Sequence, residues 1–222
     1  PIVGFILYLI IGQDYHKNKM FKAKEIEGEL KYAVRRQEET IYHRQLKMTS
    51  PALNRFRDLV LYNLEAGQAV LTDNNDIRIY TDGKEKFHAL IEEMKRAKKY
   101  IHVQYYIIRN DEVWQDIEKV LIEKAHEGVE VRVLFDSMGC RTMHKRDWDR
   151  LKCEGIRVAE FFPAILGQLQ MRVNYRNHRK IVVIDGKVGF VGGFNVGREY
   201  IGKDEKFGYW RDTHIRVEGT SV

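Results

Sequence analysis

Residues 171–200 read MRVNYRNHRKIVVIDGKVGFVGGFNVGREY, and two patterns are superimposed in them. The first is structural. Ile181–Ile184 and Val188–Val191 are strand-length runs rich in β-branched residues, and Asp185-Gly186 between them is a two-residue hairpin signal. The second is chemical. His178, Lys180 and Asp185 form H-x-K-x4-D, and six residues later comes Gly192-Gly193-x-Asn195. Two positions apart on an extended chain, His178 and Lys180 share one face. An imidazole beside an ammonium, with glycines and an amide following, suits a phosphodiester. The ring can attack phosphorus, Lys180 and Asn195 can neutralise non-bridging oxygens, and the Gly192-Gly193 turn lets backbone approach with no Cβ in the way. Singly, each residue has a plain reading as well: Asp185 as turn chemistry, His178 as a satisfied strand histidine, Lys180 as a solvated one. Their shared order and spacing favours the chemistry. Arg172, Arg176 and Arg179 crowd the same segment and have the planar fork that binds phosphate, with pairing to nearby acids equally open.

Upstream, strand and helix patterns alternate. Ile77–Tyr80 reads as a strand with Thr81-Asp82-Gly83 as its turn. Over 84–99, Phe87, Leu90, Ile91, Met94 and Ala97 recur at helical spacing. Tyr100 to Ile108 is dense in β-branched and aromatic residues, as in a strand buried on both faces. Within it Gln104 and Tyr106 alternate with apolar neighbours, which aims the pair to one side. Asp111 caps a helix that buries Val113, Trp114, Ile117, Val120, Leu121 and Ala125 and ends near Gly128. Val129–Phe135 reads as a strand, His144–Glu154 as a helix and Ile156–Phe162 as a strand, followed by the apolar Phe161–Leu166. Helix periods between strands predict a layered sheet with helices on its faces.

The whole chain has 222 residues, with 38 Lys+Arg against 32 Asp+Glu. A hydrophobic share of 44% and a charged share of 32% exclude disordered and polytopic membrane classes. Cys140 and Cys153 have no further partners, which is neither a disulfide framework nor a zinc pattern, and they read as free thiols. The net charge of +6 suits nucleic acid, anionic lipid or another phosphate-rich partner equally. No acidic or His/Cys cluster suggests a metal or other cofactor.

The opening PIVGFILYLIIGQ, residues 1–13, carries no charge. As a helix it reaches about 20 Å, short of the roughly 30 Å hydrocarbon core. Lys17, Lys19, Lys22 and Lys24 follow it, the positive-inside arrangement of a helix emerging into the cytoplasm. The expectation is a chain that begins partway through a transmembrane helix. Residues 20–48 are charged and helix-favouring, and Ser50-Pro51 starts a short helix from Ala52 to about Asn63, with Gly67 opening a loop.

H-x-K-x4-D followed by GGxN resembles the signature of the phospholipase D superfamily. The wider sequence resembles the bacterial cardiolipin synthases in the opening GFILYLIIGQ, YTDGKEKF at 80–87, YIHVQYYIIRND at 100–111, VEVRVLFDSMG at 129–139, NYRNHRKIVVIDGKVGFVGGFNVGREY at 174–200 and FGYWRDTHIRVEG at 207–219. The resemblance implies an α/β fold: a layered α/β/α phospholipase D-like half-domain with a mixed sheet at 76–222. It would be preceded by the end of a transmembrane helix at 1–13 and a basic juxtamembrane helical linker at 14–75. It also implies that His178, Lys180 and Asp185 are one catalytic motif, that Asn195, Gly192, Gly193 and Arg176 belong to the phosphate pocket, and that Asp212 in WRDTH orients the histidine.

The family resembles a tandem of two such halves, and this chain carries one H-x-K-x4-D. The implied activity is therefore that of one half of a phosphatidyltransferase. It would condense two phosphatidylglycerol molecules to cardiolipin and glycerol through a phosphatidyl-histidine, without cofactor or metal. The second motif would come from another half or from a homodimer partner. The expected setting is the bacterial cell membrane, with anionic lipid as partner, the catalytic part cytoplasmic, and no nucleic acid. The alternatives are a phospholipase D or nuclease-like phosphodiesterase working as a homodimer, and a non-catalytic membrane-docking module.

Overall fold

A computed structural model describes residues 4–5, 35–37, 39, 55–67, 69–161 and 176–222. Contacts divide the chain into two compact units, and Asn74–Val222 falls in the larger one. Its strands are β1 (Asp76–Tyr80), β2 (Tyr100–Tyr105), β3 (Glu130–Asp136), β4 (Arg157–Phe161), β5 (Ile181–Ile184), β6 (Val188–Gly192) and β7 (His214–Glu218). They form one seven-stranded sheet in the order β1-β7-β6-β5-β2-β3-β4. β2, β3 and β4 run parallel, and the other pairings are antiparallel. The sheet is mixed, as expected.

The parallel strands are joined by helices because their sequences carry both the stripe and the caps. Helix α2 (Gly83–Arg96) starts where the Asp82 carboxylate accepts the N–H groups of Lys84 and Glu85 at 2.8 and 3.2 Å, so the predicted turn residue is instead an N-cap. Helix α3 (Glu112–His126) is capped by Asp111, as the sequence predicts. Helix α4 (Lys145–Cys153) opens with a capping box between His144 and Asp147. These helices bury Phe87, Leu90, Met94, Trp114, Ile117, Leu121, Trp148 and Leu151 against Ile101, Val103, Tyr105, Val131, Val133, Phe135, Val182 and Phe190 of the sheet. Each apolar side chain of this size stabilises by about 1.5–3 kcal/mol.

The sheet residues in that core alternate along each strand, so they lie on one face. β2 alternates strictly between half-buried and buried positions, which corrects the expectation of a strand buried on both faces. Among the described residues, helices cover only the face that carries Val103 and Val182. On the other face Ile77, Ile79 and Val191 remain 56, 63 and 42 % exposed.

In the smaller unit, Gly12–Asp73, helix α1 (Arg57–Gly67) buries Leu64 against Val60, Leu61 and Val70. The Gln37 amide pairs with both backbone groups of Leu71, at 2.8 and 2.6 Å. Residues 4–5, 35–37 and 39 are helical. The rest of the predicted transmembrane and juxtamembrane helices, the Ser50-Pro51 start, and Arg172 lie outside the described residues, as does all of Phe161–Leu166 except Phe161. No helix of the described residues is long and apolar enough to cross a membrane.

Candidate active site

Antiparallel pairing brings the C-terminal ends of β2 and β6 and the N-terminal ends of β5 and β7 to one edge of the sheet. Gln104 pairs with Ile181, Ile181 with Val191, and Gly192 with His214. The parallel strands β2 and β3 also point their carboxyl ends there, the edge at which open α/β sheets bind ligands.

His178 and Lys180 stand at this edge, just before β5. His178 is exposed, whereas Lys180 is buried at 3 %. The Lys180 ammonium donates to the His178 carbonyl at 2.8 Å and to its ring Nδ1 at 3.0 Å. Tyr106 lies beneath both, its ring 4.5 Å from the imidazole and 5.3 Å from Lys180 Nζ. Gln104 donates to Asn177 Oδ1 at 3.0 Å. Gln104 and Tyr106, aimed to one side by their alternation in the sequence, thus both reach the segment 177–178.

The electrostatics suit a nucleophile. Burial, then the Lys180 charge, lowers the His178 pKa against the opposing pull of Asp136, which favours the neutral ring. Burial also pushes Lys180 down to about 8 against the stabilising charge of Asp212. At neutral pH Lys180 is still mainly an ammonium.

The remaining predicted residues are placed less uniformly. Asp185 is not brought to this pocket. It sits beyond the far end of β5, about 15 Å of strand from Lys180, with φ 55° in the hairpin turn. Its carboxylate accepts the backbone N–H groups of Lys98, Lys99 and Tyr100 at 2.8, 2.7 and 2.9 Å. Burial opposes its ionised form, yet these three donors outweigh burial and hold its pKa below the usual carboxylate range. Asp185 ties the β5–β6 turn to the start of β2. The residue stands as turn chemistry here, and His178 and Lys180 meet without it.

Gly192 and Gly193 are at the pocket edge, but what they admit is β7. A Cβ on Gly192 would lie 2.5 Å from both His214 Cα and the Thr213 carbonyl oxygen, and one on Gly193 would lie 2.0 Å from Asp212 Oδ1. Asp212 accepts the Thr213 N–H at 2.7 Å, and its charge acts on Lys180. Among the described residues no hydrogen bond joins it to His178. Asn195 is buried, accepts the Ile107 N–H at 3.0 Å and donates to the Tyr200 hydroxyl at 3.0 Å. It clasps the chain after β6 to the end of β2. Arg176 donates to Ser137 Oγ at 3.3 Å and lies 3.8 Å from Asp136 Oδ1, with its side chain 8 % exposed.

Three further residues shape the site and were missed in the sequence. Asp136, 1 % exposed at the end of β3, accepts the N–H groups of Met138, Gly139 and Asn177 and so fixes the approach to His178. A lone acid closing an apolar strand was the available signal. His214 and Lys86 are buried behind Lys180 at 1 and 0 % exposure. Lys86 donates to the Tyr105 hydroxyl at 2.7 Å, and both ring nitrogens of His214 lack a hydrogen-bond partner among the described residues. Lys86 precedes Leu90 and Met94 by four and eight residues, so the helical stripe itself includes it. Among the described residues no group of three or more His, Cys, Asp or Glu could hold a metal ion.

Comparison with known proteins agrees with this architecture. The solved structure titled NucT from Helicobacter pylori superposes with a TM-score of 0.50 over 67% of this chain and 88% of its own, at 15% identity, a likeness of fold. Cardiolipin synthase 2 of Staphylococcus epidermidis and the cardiolipin synthase of Oceanobacillus iheyensis are each 46% identical over 100% of this chain. The chain spans about half of those relatives, 46% of the length of each. The family model described as "Cardiolipin synthase, PLD-like domain" matches residues 90–207. With the sheet, the His178–Lys180 edge and whole-chain similarity in agreement, this chain belongs to the cardiolipin synthase family of phospholipase D-like proteins.

Proposed function

We propose that residues 76–222 are one catalytic half of a phosphatidyltransferase that condenses two phosphatidylglycerol molecules to cardiolipin and glycerol. The observation that carries the reading is a neutral-favoured, solvent-facing imidazole at the carboxyl edge of the sheet, with a buried ammonium 3.0 Å from its Nδ1. Family membership supports the substrate class. His178 attacks the phosphorus of the first phosphatidylglycerol, a P–N bond forms, and the P–O bond to the terminal glycerol breaks. A second histidine, from another half or another copy, protonates the departing alkoxide. That histidine then takes the proton from a hydroxyl of the second phosphatidylglycerol as its oxygen attacks phosphorus and releases His178.

Lys180 stabilises the charge on the non-bridging oxygens. Its ammonium rests on Nδ1, which leaves the neutral ring's proton on Nε2. Transfer of that ammonium to phosphate oxygens allows the ring proton to move to Nδ1 and frees Nε2 to attack. Asn195 accepts from Ile107 and donates one amide N–H to Tyr200, and its second amide N–H is offered to the same oxygens. Residues 1–13 and 14–75 are assigned to a membrane-helix end and a basic linker. The setting is the bacterial cell membrane, with the catalytic part in the cytoplasm.

Alone, this one-motif chain is expected to turn over little or not at all, so it is supplied together with the half or copy that brings the second histidine, incubated with phosphatidylglycerol labelled with ³²P and quenched in alkali, where phosphohistidine survives. Label is expected on the wild type and absent from His178→Ala. Equal labelling of both sinks the assignment. Cleavage of DNA with no reaction on lipid favours the phosphodiesterase alternative.

A further inference from the structure

We infer that the loop from Gly202 to Arg211 is the surface on which an anionic bilayer docks beside the His178 edge. The inference rests on the lipid-transferase reading for its purpose and on the loop's own construction for its evidence. The loop reads GKDEKFGYWR. Phe207 and Tyr209 are 51 and 68 % exposed, and Lys206 holds its ammonium 5.6 Å from the Phe207 ring centre. Large aromatic side chains interleaved with cations are the composition of a membrane interface, where ring bodies enter the headgroup region and cations meet phosphate. Contact surfaces between proteins are depleted in lysine at their centres, and here a lysine sits over the leading aromatic.

The loop is also built to hold these rings outward. Asp204 accepts the backbone N–H groups of Phe207 and Gly208 on its carbonyl at 3.2 and 2.8 Å, and that of Lys206 on its carboxylate at 3.0 Å. Its charge is offset by Arg198 at 3.7 Å, and Lys203, Lys206 and Arg211 are exposed against the single exposed acid Glu205, so the solvent-facing charge of the loop is net positive. Trp210 is the root. It meets Phe207 edge-on at 5.6 Å and Tyr200 at 5.0 Å, and the Tyr200 hydroxyl holds Asn195. Two residues after Trp210, Asp212 is the acid whose charge acts on Lys180. A bilayer seated on Phe207 and Tyr209 thus lies against the elements that line the reacting edge.

Residues 1–13 are apolar enough to carry the chain to vesicles unaided, so the test must be local. An environment-sensitive fluorophore is placed on Tyr209→Cys in a Cys153→Ser background, and in the wild type on Cys153, which is exposed at the far end of α4. Cys140 is buried and stays unlabelled. Vesicles of phosphatidylglycerol and phosphatidylcholine carry nitroxide on their acyl chains. We expect quenching at position 209 to exceed that at position 153 at least threefold and to fall in pure phosphatidylcholine. Equal quenching at the two sites overturns the inference. So does a fluorescence change at 209 that follows protein concentration without lipid, which would mark a contact between copies. Because quenching needs no turnover, it stands or fails separately from the transferase reading. In the Cys153→Ser background, Phe207→Ser with Tyr209→Ser should also lower quenching of a label on Lys206→Cys; unchanged quenching there also overturns it.

Discussion

His214→Gln should change the acid stability of the larger unit by an amount that follows from the ring's burial and the two ammonium groups near it. The ring is 1 % exposed, with neither nitrogen hydrogen-bonded among the described residues, and burial, then the charges of Lys86 and Lys180, pushes its pKa from the ordinary 6.5 down to about 2. The unfolded chain takes up a proton on this ring as pH falls below 6.5, and the native protein does not until near pH 2. The unfolded state therefore binds more protons through that window, and stability falls with pH. Between pH 6.5 and 4.5 the loss is two units at about 1.36 kcal/mol each, or about 2.7 kcal/mol. Wild type and variant are unfolded in urea at pH 7.0 and 4.5, followed by the fluorescence of the buried Trp114 and Trp148. The drop in unfolding free energy should be about 2–3 kcal/mol smaller in His214→Gln. Other titrating groups cancel in this difference of differences. Equal drops in the two proteins, or a ring carbon of His214 that titrates near pH 6.5 by NMR, would refute the reasoning.

Asp185→Ala removes the acceptor of three backbone N–H groups and should cost about 1–3 kcal/mol, while the folded fraction keeps the ³²P labelling of His178. A folded Asp185→Ala protein as unreactive as His178→Ala would restore the residue to the chemistry. Gly193→Ala places a Cβ 2.0 Å from Asp212 Oδ1 and should destabilise by about 1–3 kcal/mol; a melting temperature within 1 °C of wild type, on the order of a few tenths of a kcal/mol, would show that β7 can yield there.

Much of the scaffold was legible because its signals are local. The Asp185-Gly186 hairpin and the Asp111 cap each need only neighbouring residues, and the stripe of α2 needs one helical period. Asp82 illustrates the limit. A Thr-Asp-Gly run satisfies both a turn and a helix cap, and only the helix that follows decides between them. Tyr100 to Ile108 misled for a related reason: Tyr100, His102 and Gln104 fill the half-buried positions of β2, and aromatic density resembles two-sided burial when length is read without pairing. His178 and Lys180 were legible as a pair because two residues on extended chain must share a face. The partners of Asn195 and Arg176 were not, since Ile107 and Asp136 reach them only through strand order.

The placement of Asp185 gives the spacing H-x-K-x4-D a mechanical meaning. Lys180 and Asp185 bracket the four residues of β5, one end of which carries Lys180 beside His178 while the other is bolted to the turn before β2. The interval thus works as a gauge of strand length. Deleting one residue from Ile181–Ile184 would either pull Asp185 off its three donors or rotate Lys180 through the sheet to the opposite face. The motif's three residues thus divide in space: His178 and Lys180 stand together at one edge, and Asp185 is the pin that sets their distance from the turn.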